Sequence, residues 1–293
     1  MPSTRDIRRR IRSVRSTAQI TRAMQMVATA KMRKAQQAAL VGRPYADALN
    51  QILAEAVPRL ALFKHPLMET RPETKRALIL VGTDRGLCGA LNSNLFREVA
   101  KLDKNSVFIT AGKKAAQFIA RTKRNLAAEF SYKDAPQFAE SRAISKFAQD
   151  LFLKGAVGAV DILFTKFVST LVQQPQTIPF LPIGKITAVT AGIPHADQEL
   201  PAAGGVRTDL FEFEPDEQTV LSALLPHSLN FQVHQILLES RASEQSARMV
   251  AMKNATDNAE QIIKDLTLEY NKLRQSNITK ELLEIATAQM AVG

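Results

Sequence analysis

The stretch VGTDRGLCGALN, residues 81–92, follows an apolar run and opens a helical pattern. Glycines between a strand and a helix are typical of loops that bind phosphates. The rest of that chemistry is missing here. A P-loop has Lys and then Ser or Thr directly after its last glycine, whereas Ala90 and Leu91 follow Gly89. The glycines are spaced G-x-x-x-G-x-x-G, and not G-x-G-x-x-G as in dinucleotide-binding loops.

The glycines of this stretch are better explained by backbone geometry than by ligand binding. We interpret Gly86 and Gly89 as residues that permit a tight turn and close packing of a helix on a strand. The second candidate, AGKK at residues 111–114, lacks the upstream glycine of a P-loop. No convincing acidic residue ends a following strand to hold a ribose, so the sequence predicts no cofactor. A small-molecule enzyme remains an alternative, and it requires specific nucleotide binding by the isolated chain.

The remaining reactive side chains give no catalytic or metal-binding pattern. Cys88 stands alone, which excludes an internal disulfide framework and fits a reducing compartment. A nucleophilic cysteine needs a base, and no histidine lies near Cys88 in the sequence, so we expect it to be a small packing residue. The histidines lack metal-ligand spacing and are predicted to be surface or capping residues. They are His65, His195, His227 and His234.

Positive charge is concentrated at the start of the chain. The formal net charge is +11, and residues 1–34 hold ten Lys and Arg residues against Asp6 alone. This block predicts an acidic partner. A basic coiled-coil nucleic-acid-binding protein is one alternative, suggested by RRRIRSVRS. Against it, aromatic residues make up only 6% of the chain, tryptophan is absent, and no aromatic platform interrupts the basic helix.

The elements that would position these residues begin with two unusually long helices. No glycine or proline occurs between Pro2 and Gly42, nor between Pro226 and Gly293. As single helices these segments would be about 60 Å and about 100 Å long, which predicts an antiparallel coiled coil of the two chain ends. We expect the basic N-terminus to belong to this fold and not to a transit peptide. No apolar run has the length of a membrane span.

The first helix carries two apolar faces. One stripe predicts contact with the C-terminal helix: Ile7, Ile11, Val14, Ala18, Ala28 and Met32. The other face holds Ile20, Met24 and Val27. Since two apolar faces are usually covered by two partners, the second face predicts contact with the body or with a different protein. In the C-terminal helix, small residues recur every fourth position and permit close helix approach. They are Ala247, Ala251, Ala255 and Ala259.

The middle of the chain alternates strand and helix patterns. Buried strands are predicted at 76–82, 106–112 and 159–169, with a proline-containing edge strand at 176–183. Helical stretches are predicted at 89–103, 113–124 and 140–154. The predicted fold class is therefore α/β: a Rossmann-like domain with a mainly parallel sheet, plus the coiled coil. We place the N-terminal helix at 1–60, the α/β domain at 70–208 and the C-terminal helix at 209–293.

Four segments carry a resemblance to a known family. They are ITRAMQMVATAKMRK (20–34), TDRGLCGALN (83–92), SEQSARMVAMKNATDNA (243–259) and YNKLRQSNITKELLEI (270–285). In their order and spacing, over nearly the full length, the chain resembles the gamma subunits of bacterial F-type ATP synthases. One departure concerns the C-terminal tip. The family usually has Gly-Ala where this chain has Ala288 and Gln289, which leaves the contacts of that tip open.

The resemblance implies a rotor without an active site. In the family, the coiled coil lies along the axis of a hexamer of alternating alpha and beta subunits. The α/β domain stays outside, and its foot binds the epsilon subunit and the ring of c subunits. Proton flow turns the ring, and the shaft couples this rotation to ATP synthesis or hydrolysis at the alpha/beta sites. The implied location is peripheral, on the cytoplasmic face of the bacterial inner membrane, with no nucleic acid, metal or cofactor bound.

The resemblance also implies which residues bind partners. Contacts with the alpha/beta hexamer fall on Met24, Met26, Lys31, Arg33 and Lys34 near the start of the chain. Further polar contacts near its end are implied for Arg274, Gln275, Thr279 and Glu281. Leu282 and Ile285, with Met290, would line an apolar bearing at the top of the hexamer. Phe211 and Phe213, within DLFEFEPD (209–216), are implied to contact epsilon or the c ring.

Overall fold

The computed structural model describes residues 3–59, 65–71, 75–103, 105–183, 214 and 216–292. Its helices are α1 (Thr4–Arg59), α2 (Leu91–Lys101), α3 (Lys113–Arg121), α4 (Phe138–Leu153) and α5 (Glu217–Val292), with a short 3-10 turn at Pro66–Met68. Its strands are β1 (Arg76–Val81), β2 (Val107–Ala111), β3 (Asn125–Phe130), β4 (Ala159–Phe167) and β5 (Gln173–Leu181).

The five described strands form one sheet in the order β3-β2-β1-β4-β5. The first four are parallel and β5 is antiparallel, so the predicted mainly parallel sheet is confirmed. Helices cover both faces, which explains the continuous apolar runs of β1 and β2. On one face, Ile79 and Ile109 pack with Phe152 of α4. On the other, Leu80 and Phe108 pack with α2 and α3.

The two edge strands differ in how well the sequence predicts them. The proline-containing segment forms β5 at an edge, as expected, and Pro175 and Pro179 lie within it. The strand β3 is missing from the sequence prediction. Its sequence NLAAEF has no β-branched residue, and its side chains alternate between exposed and half-buried. It therefore lacks the apolar run that marks β1 and β2.

The chain comprises two compact units, and the larger is Thr29–Arg248. In it, the later part of α1 packs antiparallel to the first part of α5. Ala39 lies in one buried cluster with Leu238 and Ala242, and Leu53 lies in another with Leu225.

Both long helices continue through residues that usually end helices. Gly42 and Pro44 lie inside α1, and Pro226 lies inside α5. At Gly42 an added Cβ would lie 2.1 Å from Nε2 of Gln235, so this glycine allows close contact between the helices. At the same level, the Tyr45 hydroxyl lies 2.8 Å from Nε2 of His227.

The smaller unit holds the first part of α1 and α5 from Met249 onward. The Thr21 and Thr256 hydroxyls lie 2.7 Å apart in a buried contact. Nearer the start of α1, the Arg8 guanidinium donates to the Tyr270 hydroxyl. The pairing is therefore antiparallel, as predicted. Part of the expected stripe is buried here, namely Ile7, Ala18 and Ala28. Among the described residues, no helix combines the length and hydrophobicity needed to cross a bilayer.

Candidate functional site

The carboxyl edge of the sheet is the part of this fold that binds ligands in related architectures. In open α/β sheets, ligands occupy the crevice where the strand order reverses, which here lies between β1 and β4. A segment of α5 makes hydrogen bonds to the chain at the ends of both strands. Every residue of this segment, 235–248, is buried. The protein's own helix thus takes the position of a ligand.

One side of this segment is formed by Arg241, Glu244 and Arg248, which we call the arginine face. The side chains of Arg241 and Glu244 are both 3% exposed, and their Nη1 and Oε2 atoms are 2.6 Å apart. Arg241 also donates through Nη2 to the carbonyls of Tyr132, at 3.2 Å, and Lys133, at 3.0 Å. Because these carbonyls follow β3, Arg241 ties α5 to the end of that strand.

Acidic and aromatic groups complete the surroundings of Arg241. Asp134 lies 3.7 Å from Nη1 and Asp84 lies 4.0 Å from Nη2. The guanidinium carbon is 4.6 Å from the centroid of the Tyr132 ring. Burial raises the pKa of Tyr132, so its hydroxyl stays protonated and donates to the Gly82 carbonyl at 3.0 Å.

Arg248 extends the arginine face to the loop after β1. Its Nη2 atom donates to Oε1 of Glu244 at 2.7 Å and to the Gly86 and Arg85 carbonyls at 3.2 and 3.4 Å. The Glu244 carboxylate therefore binds two arginines, one through each oxygen. Charged groups this deeply buried are stable only when paired in this way.

The opposite side of the segment is formed by Glu239 and Ser246, which we call the hairpin face because it contacts the β4–β5 hairpin. Oε1 of Glu239 accepts a hydrogen bond from the Phe167 amide at 3.2 Å. The Ser246 hydroxyl donates to the Thr170 carbonyl at 2.8 Å. Burial raises the pKa of Glu239 to about 7, against its ordinary value of 4.5.

Close packing at this edge depends on Gly82 and Gly112, and not on Gly86 as the sequence indicated. A Cβ on Gly112 would lie 2.5 Å from the Gly82 carbonyl oxygen, and Gly112 has φ of +108°. An added Cβ at Gly86 meets nothing within 4 Å. The interpretation of Gly86 as a packing glycine is therefore wrong: the close approach involves Gly82 and the start of α3. Gly89 does adopt the left-handed turn conformation, with φ of +59°.

Cys88 and the described histidines have structural roles. Cys88 is buried with Leu91 and Ala247, as expected of a packing residue. Burial raises the pKa of its thiol, which disfavours the nucleophilic thiolate. His65 caps the 3-10 turn, and Nδ1 of His234 lies 3.0 Å from the Ser141 hydroxyl. His195 lies outside the described residues. No cluster of metal-binding side chains occurs in the described part of the chain.

The predicted partner-binding residues near the start of the chain differ in exposure. Met26 is 63% exposed and Met24 is half-buried. Arg33 and Lys34 are exposed. Nζ of Lys31 instead lies 2.5 Å from the Asp134 carboxylate, and this hydrogen bond lowers the pKa of Asp134. Lys31 is therefore already engaged within the chain.

The predicted residues near the end of the chain lie on an exposed length of α5. Every residue from 274 to 287 is exposed, including Arg274, Gln275, Glu281, Leu282 and Ile285. The Thr279 hydroxyl donates to the Gln275 carbonyl one turn earlier, at 2.9 Å. Phe211 and Phe213 lie outside the described residues, and no side-chain position is described for Met290.

The arginine face was not predicted from the sequence. Arg241, Glu244 and Arg248 follow one another at spacings of three and four residues, which places them on one helix face. That pattern is usually a solvated ion-pair ladder. Only the fold brings Asp84 and Asp134, more than a hundred residues earlier, to the same place.

The chain is similar to known proteins over nearly its whole length. The chain matches the family model described as ATP synthase over residues 3–292. The ATP synthase gamma chain of Opitutus terrae is 47% identical over 300 residues, with 100% of both chains covered. That of Roseiflexus castenholzii is 45% identical and covers 100% of this chain and 99% of the relative.

Solved structures agree with the fold. A chain of the Euglena gracilis mitochondrial ATP synthase (OSCP/F1/c-ring) matches with a TM-score of 0.66 at 18% identity, covering 99% of this chain and 94% of that one. A chain of the Tetrahymena thermophila mitochondrial ATP synthase (central stalk/cring) gives a TM-score of 0.59 at 22% identity, covering 80% and 99%.

These findings first define a class, the subunits of ATP synthase complexes. Within that class, the chain belongs to the ATP synthase gamma chain family. The resemblance read from its four sequence segments is confirmed. Its function is that of a central-stalk subunit of an F-type ATP synthase.

Proposed function

We propose that this chain is the rotor shaft that couples rotation of a c ring to ATP synthesis or hydrolysis at alpha/beta catalytic sites. It has no catalytic residues, cofactor or metal of its own. The observation that carries this proposal is the crevice at the carboxyl edge of the sheet. Where a nucleotide-binding fold has a ligand, this chain has buried residues of α5, so the α/β domain serves as a mount for a helix.

Both long helices carry exposed apolar side chains, which supports the proposal that partners bind along the shaft. In α1, Ile20 is 58% exposed and Val27 is 54% exposed, and in α5, Leu282 and Leu283 are 61% and 60% exposed. Large apolar side chains exposed in groups are typical of an interaction site. The partners that we propose for it are the alpha and beta subunits. Epsilon and the c ring would bind the α/β domain, with Phe211 and Phe213 as candidate contacts.

The proposed domain boundaries separate the shaft from the α/β domain. Residues 1–60 and 209–293 form the shaft, and residues 70–208 form the α/β domain. The proposed location is the cytoplasmic face of a bacterial inner membrane, where the chain is held by its partners.

The proposed polar contacts of the shaft divide into two groups. Arg33 and Lys34 offer exposed cations to an acidic beta segment. Hydrogen bonds to a beta loop are proposed for Arg274, Gln275, Thr279 and Glu281. Lys31 serves as a beta contact only by sharing or releasing Asp134, because that carboxylate already holds it. We therefore rank Lys31 below its neighbours.

Coupling requires that the shaft contact the beta conformations unequally, because a contact of equal energy with each of them shifts no equilibrium. Met24 and Met26 lie on the part of α1 where such contacts are proposed. Met24→Lys adds a cation beside an acidic partner. We expect ATP-driven proton pumping to fall further than ATP hydrolysis in the assembled complex, while the variant chain still folds.

The matched control is Arg22→Lys, which keeps the charge of an exposed residue two positions earlier. Tagged wild-type chain is expected to co-purify alpha, beta and epsilon subunits, and failure to do so would remove the rotor proposal altogether. Normal pumping by the Met24→Lys complex would remove only the role of Met24.

A further inference from the structure

The segment of α5 at the carboxyl edge of the sheet is held from two opposite sides. At 3.6 residues per turn, the arginine face and the hairpin face lie roughly half a turn apart around the helix. The arginine face binds the loops after β1 and β3. The hairpin face binds the last residue of β4 and the turn that follows. A helix held in this way has contacts on both sides that would break if it turned about its own axis.

The energetic cost of such a turn would be concentrated on the arginine face. The Arg241 side chain is 3% exposed, and a turn would move it away from the Tyr132 and Lys133 carbonyls and from Asp134. A buried charge that loses such partners is costly. Arg241 reaches several segments of the chain. It contacts the loops after β1 and β3 and the next turn of α5. Through Asp134 it is linked to Lys31 of α1.

Resting on the rotor function proposed above, we infer that this two-sided grip fixes α5 to the α/β domain against rolling, with Arg241 as its principal positioning residue. Rotation applied to the α/β domain then turns α5 with it, and the helix continues without interruption to Val292. If the grip were loose, α5 would roll in its seat, and rotation would be lost before it reached the catalytic sites.

The chain offers a direct way to replace the grip by a covalent bond. Cys88, the single cysteine of the chain, packs with Ala247 in one buried cluster. Ala247→Cys would place a second thiol there, and oxidation with diamide would join the loop after β1 to α5. Dithiothreitol would reverse the link, and Ala247→Ser is the control that cannot form it.

The weakened variant combines Arg241→Lys with Ser246→Ala, one change on each face. Lysine keeps the positive charge, so Glu244 is not left unpaired, but it lacks the forked donors that reach several acceptors at once. In complexes assembled with this variant, we expect protons pumped per ATP hydrolysed to fall by about tenfold, the order of effect of losing hydrogen bonds to a charged group. The hydrolysis rate per assembled complex should stay within about twofold of wild type.

The cross-link then separates a grip from a merely structural role. Oxidised Ala247→Cys in the wild-type background should pump normally, and the same link in the weakened variant should restore its pumping. Dithiothreitol should abolish that rescue. Thiol titration of the unfolded chain measures how much of the link has formed.

Either of two kinds of outcome overturns the inference. One is reversible inhibition of the wild-type complex by the link, which would mean that α5 must roll. The other is normal coupling in the weakened variant or a fully formed link that fails to rescue it. An unmodified wild-type complex that assembles but does not pump would count against the rotor proposal itself and not against the grip alone.

Discussion

Two lengths of the same helix, α5, have opposite surroundings. Residues 235–248 are buried on all sides, and residues 274–287 are all exposed. Both lengths carry charged and apolar side chains, so composition does not separate them. The difference is in their partners: the first has its partners within the chain, and the second presents its side chains for partners that the chain does not contain. A single helix can thus be fixed to its own domain at one place and available to another protein further along.

The largest difference between the two lengths is expected when one arginine is removed from each. Arg241→Ala removes one of the two arginines that bind the buried Glu244, so the free energy of unfolding should fall by about 3–5 kcal/mol. Arg274 is exposed, and Arg274→Ala should change that free energy by no more than about 0.5 kcal/mol. Urea unfolding of the purified chains measures both. Similar losses in the two variants would contradict the assignment of the arginine face as a buried network.

Two glycines near the carboxyl edge of the sheet, Gly112 and Gly86, should respond differently to substitution by alanine. Gly112→Ala places a Cβ 2.5 Å from the Gly82 carbonyl at a φ of +108°, and strain and overlap together should cost about 3 kcal/mol. Gly86→Ala, in open space, should be nearly neutral. Thermal unfolding followed by circular dichroism compares them. An unchanged melting temperature for Gly112→Ala would argue against close packing at this place.

The buried Glu239 should make stability depend on pH. Its pKa rises from 4.5 to about 7 on folding, so the folded protein binds the proton more tightly than the unfolded chain. The stability gained from this proton is present below 4.5 and lost as pH rises through about 7. The loss should be on the order of 3 kcal/mol.

Glu239→Gln tests this dependence because the amide oxygen still accepts the Phe167 amide hydrogen but does not ionise. Urea midpoints measured across this pH range should decline for wild type and vary less for the variant. The hydrogen bond from the Phe167 amide opposes the shift most, and the charges of Lys166 and Arg43 also lower the pKa of Glu239. Parallel curves for the two proteins would mean that Glu239 is ionised in both states.

The smallest effects belong to the helix pair between the two lengths compared. Thr21→Val removes a buried hydroxyl contact of 2.7 Å with Thr256 and should cost about 1 kcal/mol. The neighbouring Arg22–Glu260 pair has side chains 64% and 48% exposed, and Arg22→Ala should cost no more than about 0.5 kcal/mol. Differential scanning calorimetry should order the two. The reverse order would mean that surface charge outweighs burial in this helix pair.

The sequence predicts the large features because each rests on a local pattern. Long segments without glycine or proline predict α1 and α5, and uniform apolar runs predict β1, β2 and β4. The strand β3 has no such run, since NLAAEF lies at an edge and alternates in exposure. Its position depends on pairing with β2, which no local signal encodes.

The candidate site divides in the same way. Residues on the exposed length of α5 are predicted from resemblance, and their roles remain proposals. The arginine face was not predicted, because Arg241 meets Tyr132 and Lys133 across a separation of more than a hundred residues. The helix spacing of Arg241, Glu244 and Arg248 predicts that they share a face, but burial comes from the sheet beneath them. Gly112, likewise, lies in AGKK, which the sequence rejects as a phosphate motif without indicating that Gly112 packs closely on Gly82.

The prolines within the two long helices have a mechanical consequence. Proline has no amide hydrogen, so Pro44 leaves the Leu40 carbonyl without its usual helical partner, and Pro226 does the same for Ser222. Tyr45 and His227, the residues next to these prolines, are in contact, so the two missing backbone hydrogen bonds lie near each other along the helix pair. A helix bends most easily where its backbone hydrogen bonds are missing. Any bending of the paired helices under load should therefore concentrate near Pro44 and Pro226, away from the grip around Arg241.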